Sequence, residues 1–296
     1  MSGLRRNNSA ESFRNETIAK TVGNNLIKHI MRQRILLSII LGLLKTGIGY
    51  SQDVNIKVGV RDNIQSTILN ENRQLIVSLP KNYDTSMNTY PVLYVLDGNE
   101  TGLLDAITAT SKLGAEMIIV AIANTDRDRD MMPLSTQTYQ VDNPGAEQFL
   151  SFIGKELIPH IENGYRSNGQ RTIRGRSLSG LFIMYAFLEK PQLFDNYIGN
   201  SAGWYADMNS YFGALTDKAF KDKERFKGKK LFVANSLADP FDPKKEVHYA
   251  MLEFAEKVNS ELGDRVSFKY VTYDNYGHVP FPSFYDGLNY VLKKNE

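Results

Sequence analysis

The sequence predicts a doubly wound α/β domain, a mostly parallel sheet with helices on both faces. Three observations predict it. From about residue 55 onward, apolar runs of strand length alternate with stretches of helical period. Several strand-like runs are apolar nearly throughout, as strands covered on both faces must be. No internal repeat or low-complexity linker interrupts the segment, so residues 55–296 read as a single domain.

The elements follow in order. "RQLIVSLP" (Arg73 to Pro80) and "PVLYVLDG" (Pro91 to Gly98) are β-rich runs, each closed by a breaker, and "EMIIVAIAN" (Glu116 to Asn124) is a third. In "GAEQFLSFIGKELIPHIENGY", Phe149, Phe152, Ile153, Leu157 and Ile161 recur at helical spacing and give one buried face. "TIRG" (Thr172 to Gly175) is a short strand, and "SGLFIMYAFLEKP" a helix ended by Pro191. "YIGNSA", "KKLFVANS" (Lys229 to Ser236) and "VSFKYVTY" (Val266 to Tyr273) are three further strands, with "VHYAMLEFAEKVNSEL" a helix between the last two. A mixed edge is expected at the start of the sheet. Chemistry in such sheets gathers at the carboxyl ends of the strands.

The N-terminal segment has a different composition. Residues 1–50 hold eight Lys and Arg against two Asp and Glu, so the remainder of this chain of net charge +2 is mildly acidic. Without a basic stripe, that remainder has no electrostatic footprint for nucleic acid. Residues 1–30 are polar, rich in Asn and Ser and without periodicity; they are expected to be a disordered leader or a mis-assigned start, with Met31 the true one. In residues 31–51, Arg32 and Arg34 precede an apolar run from Ile35 to Leu44, and Gly47-Ile48-Gly49 follows. That order of charged, apolar and small segments predicts a secretory signal peptide, hence a periplasmic or secreted protein with no stable membrane anchor after cleavage. A run of about ten residues is half the roughly twenty a bilayer needs. The chain has no cysteine, which removes disulfides, thiolate metal sites and cysteine nucleophiles together.

"TIRGRSLSGLF" carries the chemistry. Ser177 stands where a strand meets a helix, with Gly175 two residues before it and Ser179 and Gly180 after it. A nucleophile elbow needs this arrangement, because the serine sits on a sharp turn and small neighbours let strand and helix approach. The Leu178 N–H then opens the helix and faces an oxyanion. The fifth motif position is Ser rather than Gly, a small change. A base must come later in the chain. Of the four histidines, His29 lies in the leader, and His160 and His248 fall in helical segments; His278 lies in a loop directly after the last predicted strand. The orienting acid belongs after the preceding strand, where Asp239 and Asp242 both stand; Asp239 is preferred as the first carboxylate past the strand end. A second oxyanion donor is expected from "YVLDGNE", at the N–H of Asn99 or Gly98, with Asp97 fixing that loop.

With these residues in order, the chain resembles the putative-esterase family of α/β-hydrolases, the group of enterochelin esterases and similar acyl esterases. The resemblance runs from about Ile64 to Leu292 over "QSTILNENRQLIVSLPKNY", "YPVLYVLDG", "NTDRDRDMMP", "RTIRGRSLSGLF", "FDNYIGNSAGWY" and "VPFPSFYDGL". It implies the α/β-hydrolase fold, an ester hydrolase with Ser177 as nucleophile, and a substrate cleft walled by the "NTDRDRD" and "AGWY" loops. The sequence departs from the family in two places. Arg176 replaces the usual His before the nucleophile. A gap-free match puts Tyr276 where relatives carry the catalytic histidine, so the base is expected two residues further on, at His278.

The expected activity is that of a serine carboxylic-ester hydrolase working through an acyl-enzyme on a small-molecule ester, without metal or other cofactor. The expected substrate-binding residues are Arg127, Arg129, Arg176, Trp204 and Tyr205. Arg127 and Arg129 could clamp an anion or satisfy the aspartates flanking them; Trp204 and Tyr205 could stack on an aryl group or sugar, or pack in the core. The alternatives are a carbohydrate esterase removing feruloyl or acetyl groups, an acyltransferase, and an inactive hydrolase-fold protein that binds a sugar or siderophore. The sequence leaves the oligomeric state open.

Overall fold

A computed structural model describes residues 7–45 and 56–293. The chain divides into two compact units, Met1–Ile56 and Lys57–Glu296.

In the first unit, α1 (Asn7–Lys45) is a single helix of 39 residues, where the composition predicts irregular chain up to residue 30. The physical reason is the lack of any proline before Pro80, which leaves the Ala, Leu, Ile, Lys and Arg of this stretch free to propagate a helix. Its described apolar side chains are exposed, Ile18, Leu26 and Leu37 among them. Gly47-Ile48-Gly49, the small-residue segment of the expected signal peptide, lies outside the described residues, as do residues 1–6. Among the described residues no helix is long and apolar enough to cross a membrane.

The second unit is built on an eight-stranded sheet. Its strands are β1 (Val60–Ser66), β2 (Glu71–Ser78), β3 (Tyr90–Val95), β4 (Ile118–Ile122), β5 (Ser167–Arg176), β6 (Asn196–Asn200), β7 (Lys229–Ser236) and β8 (Val266–Tyr273). They lie in the order β1-β2-β4-β3-β5-β6-β7-β8. β1 pairs antiparallel with β2, and β2 antiparallel with β4; every later pair is parallel. This is the α/β-hydrolase fold with the mixed edge that the sequence predicts. β1 itself carries no apolar signal, because an edge strand reading "VRDNIQS" buries only Ser66 fully.

Alternation along the strands feeds two cores. From β3, Val92 and Tyr94 join one core and Leu93 and Val95 the other. The second core is closed by α2 (Glu100–Lys112) through Leu103, Ala106 and Ala109, and by α9 (Ser283–Leu292) through Phe284, Leu288 and Val291. The first core is larger. It takes α4 (Ala146–Phe152) and α5 (Ile158–Gly164), joined by a π-helical turn at Ile153–Leu157, together with α6 (Leu178–Glu189), α7 (Asn209–Ala219) and α8 (Glu246–Glu261). α6 is buried from Leu178 to Leu188, which explains its apolar sequence on every side. A short helix, α3 (Arg127–Met131), precedes α4 in the loop after β4. The ends of β3, β5, β6, β7 and β8 lie together along one edge of the sheet, and the candidate residues follow them.

Candidate active site

Ser177 joins β5 to α6 with φ +56° and ψ −124°, a conformation that costs a non-glycine residue on the order of 1–3 kcal/mol. Surrounding contacts hold it there. Its N–H donates to Asn200 O at 2.9 Å, and its carbonyl accepts from Leu181 N at 3.0 Å. Gly175 has no alternative, since a Cβ at that position would stand 2.3 Å from Ser179 O. At the fifth motif position the serine has a bonding role. The Ser179 hydroxyl accepts the Arg176 N–H at 2.7 Å and lies 2.8 Å from Asp97 Oδ2.

The three remote candidates meet in line. His278 Nε2 stands 2.7 Å from Ser177 Oγ, and His278 Nδ1 stands 2.7 Å from Asp239 Oδ2. Asp239 comes from the loop after β7 and also accepts the Phe241 N–H at 2.9 Å, which fixes its carboxylate. Phe241 packs edge-on against the imidazole, ring centroids 4.8 Å apart. Asp242 faces elsewhere. Its carboxylate accepts the N–H groups of Glu246, Val247 and His248 at 2.7, 3.1 and 3.3 Å, at the start of α8. The helical histidines are also occupied away from the site. His160 Nε2 bonds Asp62 at 2.9 Å, and His248 Nδ1 bonds the Tyr270 hydroxyl at 2.9 Å.

Two serines that the sequence does not single out place the histidine loop. The Ser201 hydroxyl, just past β6, donates to His278 O, and the Ser236 hydroxyl, ending β7, donates to Tyr276 O. Both sit at the carboxyl ends of strands, the one signal in the sequence that marks them.

The loop after β3 gathers a cluster of polar groups around the buried Asp97. Asp97, itself at φ +52°, receives Arg127 Nε at 2.6 Å and Nη2 at 2.9 Å, and Asn124 Nδ2 at 2.8 Å. Burial pushes the Asp97 carboxyl up, but these donors and Ser179 outweigh it and hold the group below the usual carboxylate range. Asp97 fixes its loop, as the sequence suggests.

Several expected substrate contacts are corrected. Arg127 is committed bidentately to Asp97, which raises its pKa, and so is no free clamp. Arg129 bonds Glu71 Oε1 and Oε2 at 2.8 and 3.1 Å and Asp130 Oδ1 at 2.7 Å; the charges around the loop satisfy one another. Trp204 is buried. It stacks on Phe212 with centroids 4.3 Å apart and donates Nε1–H to Asn209 at 3.0 Å, so it packs the core. Tyr205 is half-exposed and reaches Phe241 O with its hydroxyl at 3.2 Å, beside Asp239. Arg176 is partly buried and lines a cavity beside the nucleophile.

The oxyanion donors divide as well. Leu178 is the first residue of α6, so no carbonyl of that helix lies four residues before its N–H. Gly98 is corrected: its N–H donates to Ile122 O at 2.8 Å, and a Cβ there would stand 2.1 Å from Ile122 N, so the glycine serves close approach to β4. The Asn99 N–H closes a three-residue turn onto Asp97 O at 2.9 Å, while its side chain accepts from Gly102 N at the start of α2. Among the described residues no group of three or more His, Asp or Glu could hold a metal ion.

Residues 66–273 match the model of the putative-esterase family. The chain belongs to this family. It is 31% identical over 158 residues to the ferri-bacillibactin esterase BesA of Bacillus subtilis, covering 45% of this chain and 54% of that protein. It is 29% identical over 152 residues to the siderophore triacetylfusarinine C esterase of Aspergillus fumigatus, covering 45% and 52%. The chain thus spans about half the length of the curated relatives it matches. Among solved structures, an IroE-like serine hydrolase from Shewanella oneidensis superposes with a TM-score of 0.63 at 28% identity, over 78% of this chain and 79% of that one. Tyr276, where the resemblance places the histidine, packs against Tyr273 with centroids 5.7 Å apart, and His278 stands beside Ser177.

Proposed function

We propose that the protein is a serine carboxylic-ester hydrolase acting on a small-molecule ester through an acyl-enzyme. The observation that carries this is the line from Ser177 Oγ through His278 to Asp239, two contacts of 2.7 Å each. His278 Nε2 removes the Ser177 proton as Oγ attacks the ester carbonyl, while Asp239 holds the Nδ1–H tautomer and stabilises the imidazolium. The Leu178 N–H receives the developing oxyanion. His278 then protonates the departing alcohol, and water attacks the acyl-enzyme with His278 again as base, restoring Ser177.

The substrate class takes its support from the named relatives, a ferri-bacillibactin esterase and a siderophore triacetylfusarinine C esterase. An ester of siderophore type is the reading we adopt. A periplasmic or secreted location, drawn from the charged, apolar and small order of residues 31–51, suits such a substrate. The deciding experiment is turnover of p-nitrophenyl butyrate alongside a catecholate trilactone and a feruloyl ester. Hydrolysis by wild type and its disappearance in Ser177→Ala supports the reading; wild-type inertness towards all three sinks it and favours a binding protein. Cell fractionation with N-terminal sequencing of the mature chain tests the location.

A further inference from the structure

Two guanidiniums are almost wholly buried in the second unit, Arg73 at 0% exposure and Arg174 at 3%, and their surroundings differ. Arg73 is matched by carboxylates, Glu71 at 2.8 Å and Asp130. Arg174, on β5, has no such match. Its Nε donates to the neutral Asn200 Oδ1 at 3.2 Å, and its guanidinium lies 4.3 Å from the centre of the Phe284 ring. Among the described residues its two terminal nitrogens make no hydrogen bond or ion pair, and they are not among the fully enclosed unpartnered atoms, so they keep some access to the cavity that Arg174 lines. Burial, and after it the charge of Arg176, pushes its pKa down to about 10 against the smaller opposing pull of the Asp105 and Asp97 carboxylates. At neutral pH it is still a cation. A buried guanidinium that meets no carboxylate directly is costly, and a fold retains one where a counter-charge can reach it.

Arg174 lines a cavity of about 730 Å3 between α2 and the chain leading into α9. Lys112 and Arg176 line it too, and Asp105 is the one acid among the lining residues, so the walls are net positive. Most of the remaining lining is apolar, with Pro280, Phe281 and Phe284 part of it. The cavity adjoins the reacting groups through the chain itself: Arg176 precedes Ser177, and Val279, also in the lining, follows His278.

We propose that this cavity is a subsite for an anionic aromatic group of the substrate, a ring bearing a carboxylate, with Arg174 as its buried counter-charge and Arg176 beside it. The planar guanidinium offers a fork to a carboxylate, and the aromatic and proline walls take the ring out of water. The inference deepens the ester-hydrolase reading, on which it rests only for calling the ligand a substrate.

The test is direct binding, which needs no turnover and so fails independently of that reading. Calorimetric titration of the full chain with 2-naphthoate, neutral 2-naphthamide and inorganic phosphate is expected to show naphthoate bound at least about tenfold more tightly than either, the difference one charge-assisted pair makes. Arg174→Met is expected to erase the preference for naphthoate over naphthamide, and Arg174→Lys to keep a reduced one. In ligand-free protein, Arg174→Met is expected to raise the melting midpoint, since it removes an unpaired buried charge. Equal affinity for acid and amide, no binding of naphthoate at millimolar concentration, an unchanged preference in Arg174→Met, or phosphate binding as tight as naphthoate would each overturn the proposal. So would a lowered midpoint in Arg174→Met, which marks the guanidinium as a structural brace.

Discussion

Ser179 Oγ lies 2.8 Å from Asp97 Oδ2, tying the turn that presents the nucleophile to the loop after β3. The same oxygen accepts the Arg176 N–H at 2.7 Å, so a single hydroxyl bridges the backbone just before Ser177 and a buried carboxylate. Ser179→Ala removes the hydroxyl proton shared between Asp97 Oδ2 and Arg176 O, each 2.8 Å away, and leaves the Arg176 N–H without its acceptor. The expected loss is about 1.5–3 kcal/mol of stability, read by urea denaturation, with a fall in kcat because the turn at Ser177 loses its brace. Unchanged stability would show that water replaces the hydroxyl and that the bridge has no structural weight.

The two aspartates after β7 should separate cleanly. Asp239→Asn keeps the size of the side chain but lets His278 adopt the wrong tautomer, so kcat is expected to fall by on the order of 10⁴-fold with little change in fold. Asp242→Asn weakens an anion at the start of α8 that receives three N–H groups, so its expected effect is about 0.5–2 kcal/mol of stability with kcat nearly kept. Steady-state kinetics on p-nitrophenyl butyrate beside thermal melts of both variants reads the split. The reverse pattern would exchange the two roles.

Ser177, Asp239 and His278 are legible in the sequence because strand-turn-helix punctuation and chain order are local signals, and each of the three follows a strand end. Asp239 and Asp242 look alike in one dimension, because only the direction of each carboxylate distinguishes a histidine partner from an acceptor of helix N–H groups. Gly98 misleads as an oxyanion donor for a related reason: a glycine needed because β4 approaches to van der Waals distance looks the same as one that frees an amide. Arg129 and Trp204 sit in loops named by the family resemblance, yet their partners, Glu71 and Phe212, lie 58 residues away and on the following helix. Partner choice of that kind is tertiary. β1 is invisible to apolar patterning because an exposed edge strand needs no alternation.

Asp97 should leave a signature in the pH dependence of stability. Its folded pKa is depressed, so the unfolded chain takes up the proton first as pH falls. The stabilisation is therefore fully present above the unfolded value of about 3.9 and is lost as pH drops through the lower folded value. Melting midpoints measured between pH 6 and pH 3 are expected to decline less steeply in Asp97→Asn than in wild type, from a lower starting point. Parallel slopes would mean that other carboxylates dominate the acid limb and that the Arg127 pairing contributes little.

The loop that carries His278 offers the last test, because its position depends on contacts from strands that precede it in the sheet. Ser201 holds His278 O and Ser236 holds Tyr276 O, so the two hydroxyls fix the main chain on either side of Gly277. Each bond to a neutral carbonyl is worth about 0.5–1.5 kcal/mol, small for the fold. Its effect on the 2.7 Å contact between His278 and Ser177 is larger, since proton transfer depends on placement to within about an ångström. Ser201→Ala is thus expected to lower kcat by on the order of tenfold to a hundredfold while KM for p-nitrophenyl butyrate stays nearly constant, and the double variant with Ser236→Ala to lower kcat further. A matching rise in KM with kcat kept would place the loop in ester binding and leave the imidazole positioned by Asp239 alone.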